Sequence, residues 1–395
     1  MPGDDHSEPY GPDRQVEIYS MGMLADQPPE HPISFEALEA RAEEALSPEA
    51  FGYVTGGAGA ERTVERNRTA FDRWNLVPRM LRGVEERDLT VELLGRELTV
   101  PVLLAPIGCQ SVLHEDAEVA VARAANEMDV PMVLSSVSSK PMEDVAEALG
   151  STPGWFQLYW SSDREIAASF IERAETAGYE AIVLTVDTPV PGWRERDLER
   201  GYLPYLDGDG LANYFSDPVF RDALDGPPEE NPGMATQHWI DIFGDPSITW
   251  EDLGFVRKHT DLPLVIKGIL HPDDALEAID RDVDGIIVSN HGGRQVDGSI
   301  GAIEALPNVV DAVDGRVPVL FDSGIRRGAD AIKAIALGAD AALLGRPYAY
   351  GLGIDGEAGV EAVLKNFLAD LDVTLGLCGQ RTISEVDRSL LVEAD

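Results

Sequence analysis

The stretch Gly285-Ile286-Ile287-Val288-Ser289-Asn290-His291-Gly292-Gly293-Arg294-Gln295 begins with an apolar run and ends in a polar, glycine-rich turn. The continuous apolar run predicts a short strand that is buried on both faces. The turn places a histidine and an arginine directly after that strand. Rigid scaffolds commonly present reactive side chains at strand ends. The stretch therefore predicts a buried parallel strand with a functional site at its carboxyl end.

The same alternation of a short apolar run and a helix-like segment repeats from Pro101 to the end of the chain. The predicted strands are 101–106, 131–136, 155–160, 181–187, 263–268, 285–290, 318–324 and 341–347. The predicted helices between them are 116–128, 142–149, 163–177, 272–280, 301–313 and 328–337. Eight such units predict an α/β fold, a closed (β/α)8 TIM barrel. No glycine fingerprint follows the first strand, which disfavours an open dinucleotide-binding sheet.

The remaining segments are additions to the predicted barrel, whose domain covers residues 33–395. Residues 1–32 are rich in Pro, Gly and acidic residues and predict an extended N-terminal arm. Ser34 is a candidate cap for a helix from Phe35 to Leu46, and residues 52–59 suggest a glycine-rich loop. Residues 61–73 suggest another helix, and residues 89–100 a hairpin. These segments predict a helical and hairpin cap. The long insertion at about 192–246 after the fourth strand is rich in aromatic residues and predicts a lid, with a subunit contact as the alternative.

Composition excludes several classes of protein. The chain has 395 residues and a formal net charge of −40, which is the opposite of what nucleic-acid binding requires. Acidic residues are spread over the whole chain, which predicts a halophilic surface suited to a salt-rich cytosol. The two cysteines, Cys109 and Cys378, indicate no disulfide framework, and no run reaches membrane-spanning length. No signal peptide is recognisable, so we expect a soluble cytoplasmic protein.

The carboxyl ends of barrel strands converge on one face, so the residues there predict the site. They are Pro106, Ile107, Gly108, Ser135, Gln157, Tyr159, Thr185, Asp187, Lys267, Ser289, His291, Asp322, Ser323, Gly324, Arg326, Gly345 and Arg346. Polar side chains at the ends of buried strands need partners and therefore indicate a polar ligand. Glycines and Arg346 after the last two strands lie where this fold commonly binds phosphate. A phosphate-bearing ligand is expected on these grounds alone.

Four residues predict proton chemistry on an anionic substrate. His291 can exchange a proton near neutral pH, and Arg294 can hold a carboxylate through two hydrogen bonds. Asp187 is expected near His291, where its charge would raise the pKa of the histidine. Lys267 would stabilise an anion that forms on the ligand. Cys109 is predicted to be a packed residue rather than a nucleophile, and His271, before Pro272, a helix cap.

From about Phe35 onward, the chain resembles the FMN-dependent 2-hydroxyacid oxidase and dehydrogenase family. The most specific motif is Ser289–Gln295. Supporting motifs are Phe156–Tyr159, Leu184–Pro189, Lys267-Gly268, Asp322–Arg326 and Gly345–Pro347. The resemblance implies FMN as the cofactor and a small 2-hydroxy acid as the substrate. It also implies O2 as the electron acceptor and a homo-oligomer, commonly a tetramer.

The resemblance also implies individual roles. His291 would be the base with Asp187 as its partner, and Arg294 and Tyr53 would bind the substrate carboxylate. Tyr159 would bond the substrate hydroxyl or the developing oxyanion, and Arg194 would assist. The residues implied to line FMN are Pro106, Ile107, Gly108, Ser135, Gln157, Thr185, Lys267, Ser289, Asp322, Ser323, Gly324, Arg326, Gly345 and Arg346.

Within the family, the chain is most similar to the lactate 2-monooxygenases, through Gly192–Leu198, Asn213-Tyr214, Asp217–Phe220 and Gly108. Ala60 departs from the Asp that relatives often carry there. This similarity implies conversion of L-lactate to acetate, CO2 and water. An oxidase or dehydrogenase that releases the 2-oxo acid is the alternative. An FMN-dependent isopentenyl diphosphate isomerase and a non-catalytic flavin-binding protein are more distant ones.

Overall fold

The computed structural model describes residues 10–394, and eight parallel strands form a closed barrel at its centre. Numbered in chain order, they are β1 (Val102–Leu104), β2 (Met132–Ser135), β3 (Gly154–Tyr159), β4 (Ala181–Thr185), β5 (Leu264–Ile269), β6 (Gly285–Val288), β7 (Val319–Phe321) and β8 (Ala341–Leu344). Each strand pairs with its neighbours in sequence, and β8 closes the barrel against β1. The predicted TIM barrel is confirmed, with every strand inside its predicted stretch or within one residue of it.

Both faces of the barrel strands are buried, which explains why their sequences are continuously apolar rather than alternating. In β4, Ala181 and Val183 face the barrel interior, whereas Ile182 and Leu184 pack with the surrounding helices. Each large aliphatic side chain buried in this way stabilises the fold by about 1.5–3 kcal/mol. The strands are therefore rigid supports for whatever their carboxyl ends carry.

Helices surround the barrel, and all six helices predicted between strands form. The α-helices are Tyr10–Ala25, Phe35–Ala45, Pro48–Thr55, Arg62–Thr69, Ala117–Glu127, Met142–Leu149, Arg164–Ala177, Glu195–Arg200, Ala212–Phe215, Pro218–Asp222, Pro232–Ile242, Leu253–His259, Pro272–Asp280, Ala302–Val313, Gly328–Ala336 and Arg346–Leu377. The 3-10 turns are Ala70–Arg73, Gln110–Val112, Pro204–Asp207, Trp250–Asp252, His291–Gly293, Ile383–Glu385 and Arg388–Leu390. The helix at Arg346–Leu377, which has a break at Asp355-Gly356, was not predicted. No helix in residues 10–394 is long and apolar enough to cross a membrane.

The N-terminal region forms the expected cap, with two corrections. The Ser34 hydroxyl accepts a hydrogen bond from the amide of Ala37, and strands Val91–Leu93 and Arg96–Leu98 form the predicted hairpin. Two further short strands, Trp74–Leu76 and Leu391–Glu393, pair antiparallel. Tyr10–Ala25 is a helix packed on the last helix rather than an extended arm, and the rest of the arm before residue 10 lies outside the described residues.

The second correction concerns the glycine-rich stretch that begins at Gly52. Its first four residues belong to the helix Pro48–Thr55, so the loop itself begins only at Gly56. Ser47 caps this helix and Pro48 occupies its first turn, which together start the helix in spite of the glycine. Tyr53 is thereby carried by a helix end and not by a flexible loop. His271 is a helix cap, as predicted, and accepts a hydrogen bond from the amide of Asp273.

The insertion after β4 is ordered by its aromatic residues. Tyr214, Phe220 and Trp239 are buried, and their rings pack against one another. The amide of Asn213 donates to the carbonyl of Ser136 at 3.1 Å, which fixes the insertion to the end of β2. The insertion is therefore a packed subdomain beside the carboxyl ends of the strands.

Candidate active site

A cleft with an empty volume of about 950 Å³ opens at the carboxyl ends of the barrel strands. Predicted residues that line it are Tyr53, Pro106, Ile107, Gly108, Tyr159, Arg194, Lys267, His291, Arg294, Asp322, Ser323, Gly324, Arg326, Gly345 and Arg346. The other predicted residues belong to the strands that end at the cleft or follow them directly: Ser135, Gln157, Thr185, Asp187 and Ser289. Residues from the N-terminal cap, the strand ends and the insertion therefore meet at one place.

His291 lies between a carboxylate and a phenol. Its Nδ1 is 2.8 Å from Asp187 Oδ1, and its Nε2 is 3.4 Å from the Tyr159 hydroxyl. With the carboxylate at Nδ1, the favoured neutral tautomer carries its proton on Nδ1 and leaves the Nε2 lone pair free. The amide of His291 donates to Ser289 Oγ at 3.0 Å, which anchors the turn to β6. The free lone pair can accept a proton from a group held in the cleft.

The pKa of His291 is lower than that of a free histidine, contrary to the expectation from the sequence. Burial is the main cause, and the charge of Lys267 adds to it, so that the opposite effect of Asp187 is outweighed. For Asp187, burial alone would raise the pKa, but His291 and Lys267 lower it to about 2. At neutral pH the pair is therefore a neutral imidazole beside an ionised carboxylate. This is the state that a general base needs before it reacts.

Lys267 is the buried cation of the site. Its Nζ donates to Ser289 Oγ at 3.2 Å and lies 3.4 Å from Asp322 Oδ2. Ser289 Oγ donates to the same carboxylate oxygen at 2.5 Å. Burial lowers the pKa of Lys267, but Asp322 and Asp187 outweigh that effect and the pKa is raised. Lys267 therefore carries a fixed positive charge at the floor of the cleft.

Arg294 and Arg194 form a second positive region. An Arg294 guanidinium nitrogen donates to the carbonyls of Tyr53 at 2.5 Å and Gly56 at 2.8 Å, and the guanidinium lies 5.0 Å from the centre of the Tyr53 ring. Arg194 Nε donates to the Arg294 carbonyl at 3.4 Å. Burial and the charge of Arg194 lower the pKa of Arg294 to about 10. Both arginines line the cleft, and their positive charges favour an anionic ligand there.

Two further arginines, Arg326 and Arg346, also line the cleft, and they differ in their hydrogen-bond partners. Arg346 donates to the carbonyls of Val54, Gly56 and Gly292 at 3.0–3.1 Å. It therefore joins the N-terminal cap to the turn of residues 289–295, the His291 turn. Arg326 Nε is buried without a partner in the described part of the chain. Burial and Arg346 lower the pKa of Arg326 to about 9. Of these two arginines, Arg326 is therefore the one with a buried donor, Nε, available to bind an anion.

These observations test whether the residues fit FMN. The buried atoms Gln157 Nε2 and Thr185 Oγ1 have no hydrogen-bond partner within residues 10–394, and each lies in a strand that ends at the cleft. The unmet polar groups match the polar edge of a flavin ring, and Arg326 matches a phosphate. Ser135 Oγ donates to Gln157 Oε1 at 3.0 Å, which fixes the amide so that its nitrogen remains free to donate. The residues therefore fit FMN.

Several residues of the site were not singled out from the sequence. Tyr205 lines the cleft, and its hydroxyl is 3.3 Å from that of Tyr53. The Gln295 amide donates to the carbonyl of Asp187 at 2.8 Å. Cys109 also lines the cleft but is buried with a raised pKa, mainly because of burial, which agrees with a packed thiol. Tyr205 was one of several aromatic residues in the insertion, and spacing alone cannot identify the one that faces the cleft.

Comparisons with known proteins agree with this geometry. A family model described as FMN-dependent dehydrogenase matches residues 42–393. The chain is 44% identical to an FMN-dependent alpha-hydroxy acid dehydrogenase of Penicillium citrinum, over 95% of this chain and 94% of that protein. It is 45% identical to an L-lactate oxidase of Lysinibacillus sphaericus, over 92% and 94%. A crystal structure of mandelate oxidase with (S)-4-hydroxymandelic acid is similar at a TM-score of 0.82 and 38% identity, covering 92% of this chain and 99% of that one.

Proposed function

The chain belongs to the family of FMN-dependent dehydrogenases and is an FMN-dependent oxidoreductase of alpha-hydroxy acids; within that family we propose that it oxidises L-lactate with O2 and converts it to acetate, CO2 and water. The observation that carries the proposal is the position of His291 Nε2. It is a free base at the cleft, beside the positive pair of Arg294 and Arg194. A 2-hydroxy acid has a carboxylate for the arginines and a proton for the base.

Each side chain has one task in the proposed reaction. Arg294 and Tyr53 bind the substrate carboxylate, and Arg194 assists them. His291 Nε2 takes a proton from the substrate, and Asp187 stabilises the imidazolium that results. FMN, when bound, supplies the acceptor for the two electrons that leave the substrate. Tyr159 hydrogen-bonds the substrate oxygen as that oxygen changes from hydroxyl to carbonyl.

The FMN contacts are also part of the proposal. With FMN bound, Lys267 would place a positive charge near the flavin ring, and Gln157 and Thr185 would offer it their unpartnered polar atoms. Arg326 would hold the phosphate of FMN. The remaining residues expected to contact FMN are Pro106, Ile107, Gly108, Ser135, Ser289, Asp322, Ser323, Gly324, Gly345 and Arg346.

The insertion after β4 supports a small substrate and retention of the first product. The Tyr205 ring packs against Trp239 and Phe243, and its hydroxyl meets that of Tyr53 across the cleft. We expect this aromatic cover to favour a small apolar substituent such as the methyl group of L-lactate. Retained pyruvate can react with the peroxide formed beside it. The sum is then L-lactate + O2 → acetate + CO2 + H2O.

The names of relatives favour a second outcome. L-lactate oxidases of Lysinibacillus sphaericus and Nostoc are 45% and 43% identical to this chain. If the cover opens before pyruvate reacts, the sum becomes L-lactate + O2 → pyruvate + H2O2. The chemistry at His291 is the same in both cases. The rate of product release separates them.

Product analysis is the decisive experiment. Purified protein should be yellow, and L-lactate should bleach it without oxygen. In air, the proposal expects acetate and CO2 with little peroxide. Stoichiometric pyruvate and H2O2 would establish the oxidase outcome, and bleaching without oxygen uptake would establish a dehydrogenase. A colourless protein after FMN loading would overturn all three.

Three further properties complete the proposal. We expect O2 to be the physiological acceptor, the chain to form a homo-oligomer, and the location to be the cytoplasm. Light scattering after gel filtration gives the oligomer mass, and cell fractionation gives the location. A monomer at micromolar concentration would contradict the second expectation.

A further inference from the structure

The helix Arg62–Thr69 contacts the site from outside, although none of its residues lines the cleft. Thr63 Oγ1 donates to the carbonyl of Val296 at 2.8 Å, beyond the end of the His291 turn (residues 289–295). Arg68 donates to the carbonyl of Gly324 and pairs with Asp330 at 2.9 Å, which fixes the loop after β7. This helix therefore braces both the turn that carries the base and the loop that faces the phosphate end.

Asn67, on the same helix, forms a reciprocal pair with Asn290. Asn67 Nδ2 donates to Asn290 Oδ1 at 2.7 Å, and Asn290 Nδ2 donates to Asn67 Oδ1 at 2.7 Å. The two residues are 3% and 5% exposed, so water does not compete for these bonds. Backbone amides settle which amide atom is oxygen, because Ala302 donates to Asn67 Oδ1 and Gly293 to Asn290 Oδ1. The pair requires a donor and an acceptor side by side on residue 67.

The pair matters because the backbone of His291 is in an unfavourable conformation. Its φ of 57° lies in the left-handed region, which non-glycine residues adopt only when their surroundings fix them. Asn290, the preceding residue, caps the turn through its bond with Gly293 and also donates to the carbonyl of Ile300 at 3.1 Å. If the Asn290 side chain is not held, the turn that aims Nε2 of His291 loses its anchor.

We propose that Asn67 is a positioning residue for the base: its side-chain amide fixes Asn290 and, through it, the direction of His291 Nε2. This inference rests on the proposed role of His291. It predicts that changes at Asn67 affect the proton-transfer step while leaving FMN in place, because Asn67 lies outside the cleft.

Two substitutions test the inference. Asn67→Leu removes the reciprocal pair and should lower the rate constant of flavin reduction by L-lactate, at saturating substrate and without oxygen, roughly 10- to 100-fold. Asn67→Asp has nearly the same shape, but an ionised carboxyl has no donor for Asn290 Oδ1, whereas a protonated carboxyl has one. Relative to the wild type at the same pH, its rate constant should therefore fall as the pH rises through the pKa of the introduced carboxyl and recover below it. A loss of packing alone would not give this pH-dependent recovery.

Other charged groups near residue 67 can also contribute to the pH dependence of the rate constant. They are Arg66 and Arg68 on its own helix, His291 and Asp297 around the His291 turn, Glu304 on helix Ala302–Val313, and Asp322, Arg326 and Asp330 around the loop after β7. Asp297 accepts from two backbone amides and Glu304 is paired with Arg66, so both have lowered pKa values. These groups are present in the wild type as well, so dividing by the wild-type rate removes their contribution.

Controls separate the possible failures. Asn366→Leu changes a half-buried asparagine on the last helix, which accepts from Arg14 and does not line the cleft, and it should leave the rate constant unchanged. Both Asn67 variants should keep the FMN spectrum and its dissociation constant within about threefold of the wild type. The inference is overturned if Asn67→Leu reduces flavin at the wild-type rate, or if Asn67→Asp shows a flat ratio to the wild type. If His291→Ala itself still bleaches, the proposed function fails and not only the role of Asn67.

Discussion

At the residue scale, the state of His291 decides over which pH range the site can work. Its pKa is lowered by burial and by Lys267, and Asp187 offsets part of that effect. A base must be neutral, so activity is present above the pKa and lost as the pH falls through it. We expect kcat/KM for L-lactate to keep its plateau down to a pH below 6.5, the ordinary pKa of histidine. A midpoint above 6.5 in the pH profile would contradict the assignment.

The substitution Asp187→Asn should shift the pH profile of kcat/KM in a defined direction. Because the Asp187 charge raises the pKa of His291, its removal should move the acid limb of kcat/KM to lower pH. The plateau should fall by roughly 10²–10⁴, since the imidazolium that forms loses its partner. Flavin reduction measured by stopped flow over a pH series gives both quantities. Movement of the limb to higher pH would show that Asp187 acts in another way.

Arg326 is the residue that we expect to bind the phosphate of FMN. Its buried Nε has no partner in the described part of the chain, so an FMN phosphate would satisfy it, whereas Arg346 already donates to three carbonyls. Arg326→Met should weaken FMN binding roughly 10- to 100-fold, in line with about 1.5–3 kcal/mol for a hydrogen bond to a charged group. Quenching of FMN fluorescence on titration measures the change. Arg123→Met, at an exposed arginine that is paired with Glu357, is the matched control.

At the element scale, the insertion after β4 controls product release in the proposed function, and Gly210 packs it closely against the cleft wall. Its φ is 80°, and a Cβ there would come within 2.5 Å of Cys109 Sγ and 2.8 Å of the Val137 carbonyl. Gly210→Ala should lift the insertion from the cleft wall and shift the products in air from acetate toward pyruvate and H2O2. Gly226→Ala, in the same insertion with nothing within 4 Å, is the control. An unchanged acetate fraction in Gly210→Ala would show that this contact does not retain pyruvate.

The strands and helices differ in how well the sequence alone predicts them. The barrel strands were predictable because burial on both faces leaves a continuous apolar run. The helix Arg346–Leu377 was not, since Gly351, Gly353, Gly356 and Gly359 interrupt its periodicity. Tyr10–Ala25 was missed because its order depends on tertiary contacts, such as the Gly11 amide bond to Asp372 at 2.9 Å, and not on its own propensity.

At the scale of the whole molecule, convergence of strand ends made most of the site predictable once the barrel was recognised. Spacing along eight strands is enough to bring His291, Asp187 and Lys267 together. It does not give the balance of burial and charge that lowers the pKa of His291, because that balance depends on three-dimensional distances. It also does not show that Arg346 donates to three carbonyls while the buried Nε of Arg326 has no partner in the described residues. Sequence therefore predicts which residues meet and leaves their electrostatic state to the structure.

The net charge of −40 belongs to the molecule as a whole. Self-repulsion of this size destabilises the compact state, and salt screens it, since the Debye length falls from about 10 Å at 0.1 M to about 3 Å at 1 M. We expect the melting temperature of the FMN-loaded protein to rise by several degrees between 0.1 and 2 M KCl. For a chain of this size, that rise corresponds to an increase of about one to a few kcal/mol in the free energy of unfolding. Sucrose at matched osmolality controls for excluded volume. Equal melting temperatures at both salt concentrations would mean that ion pairs such as Arg87–Asp372, 2.6 Å apart and buried, already compensate the repulsion at low salt.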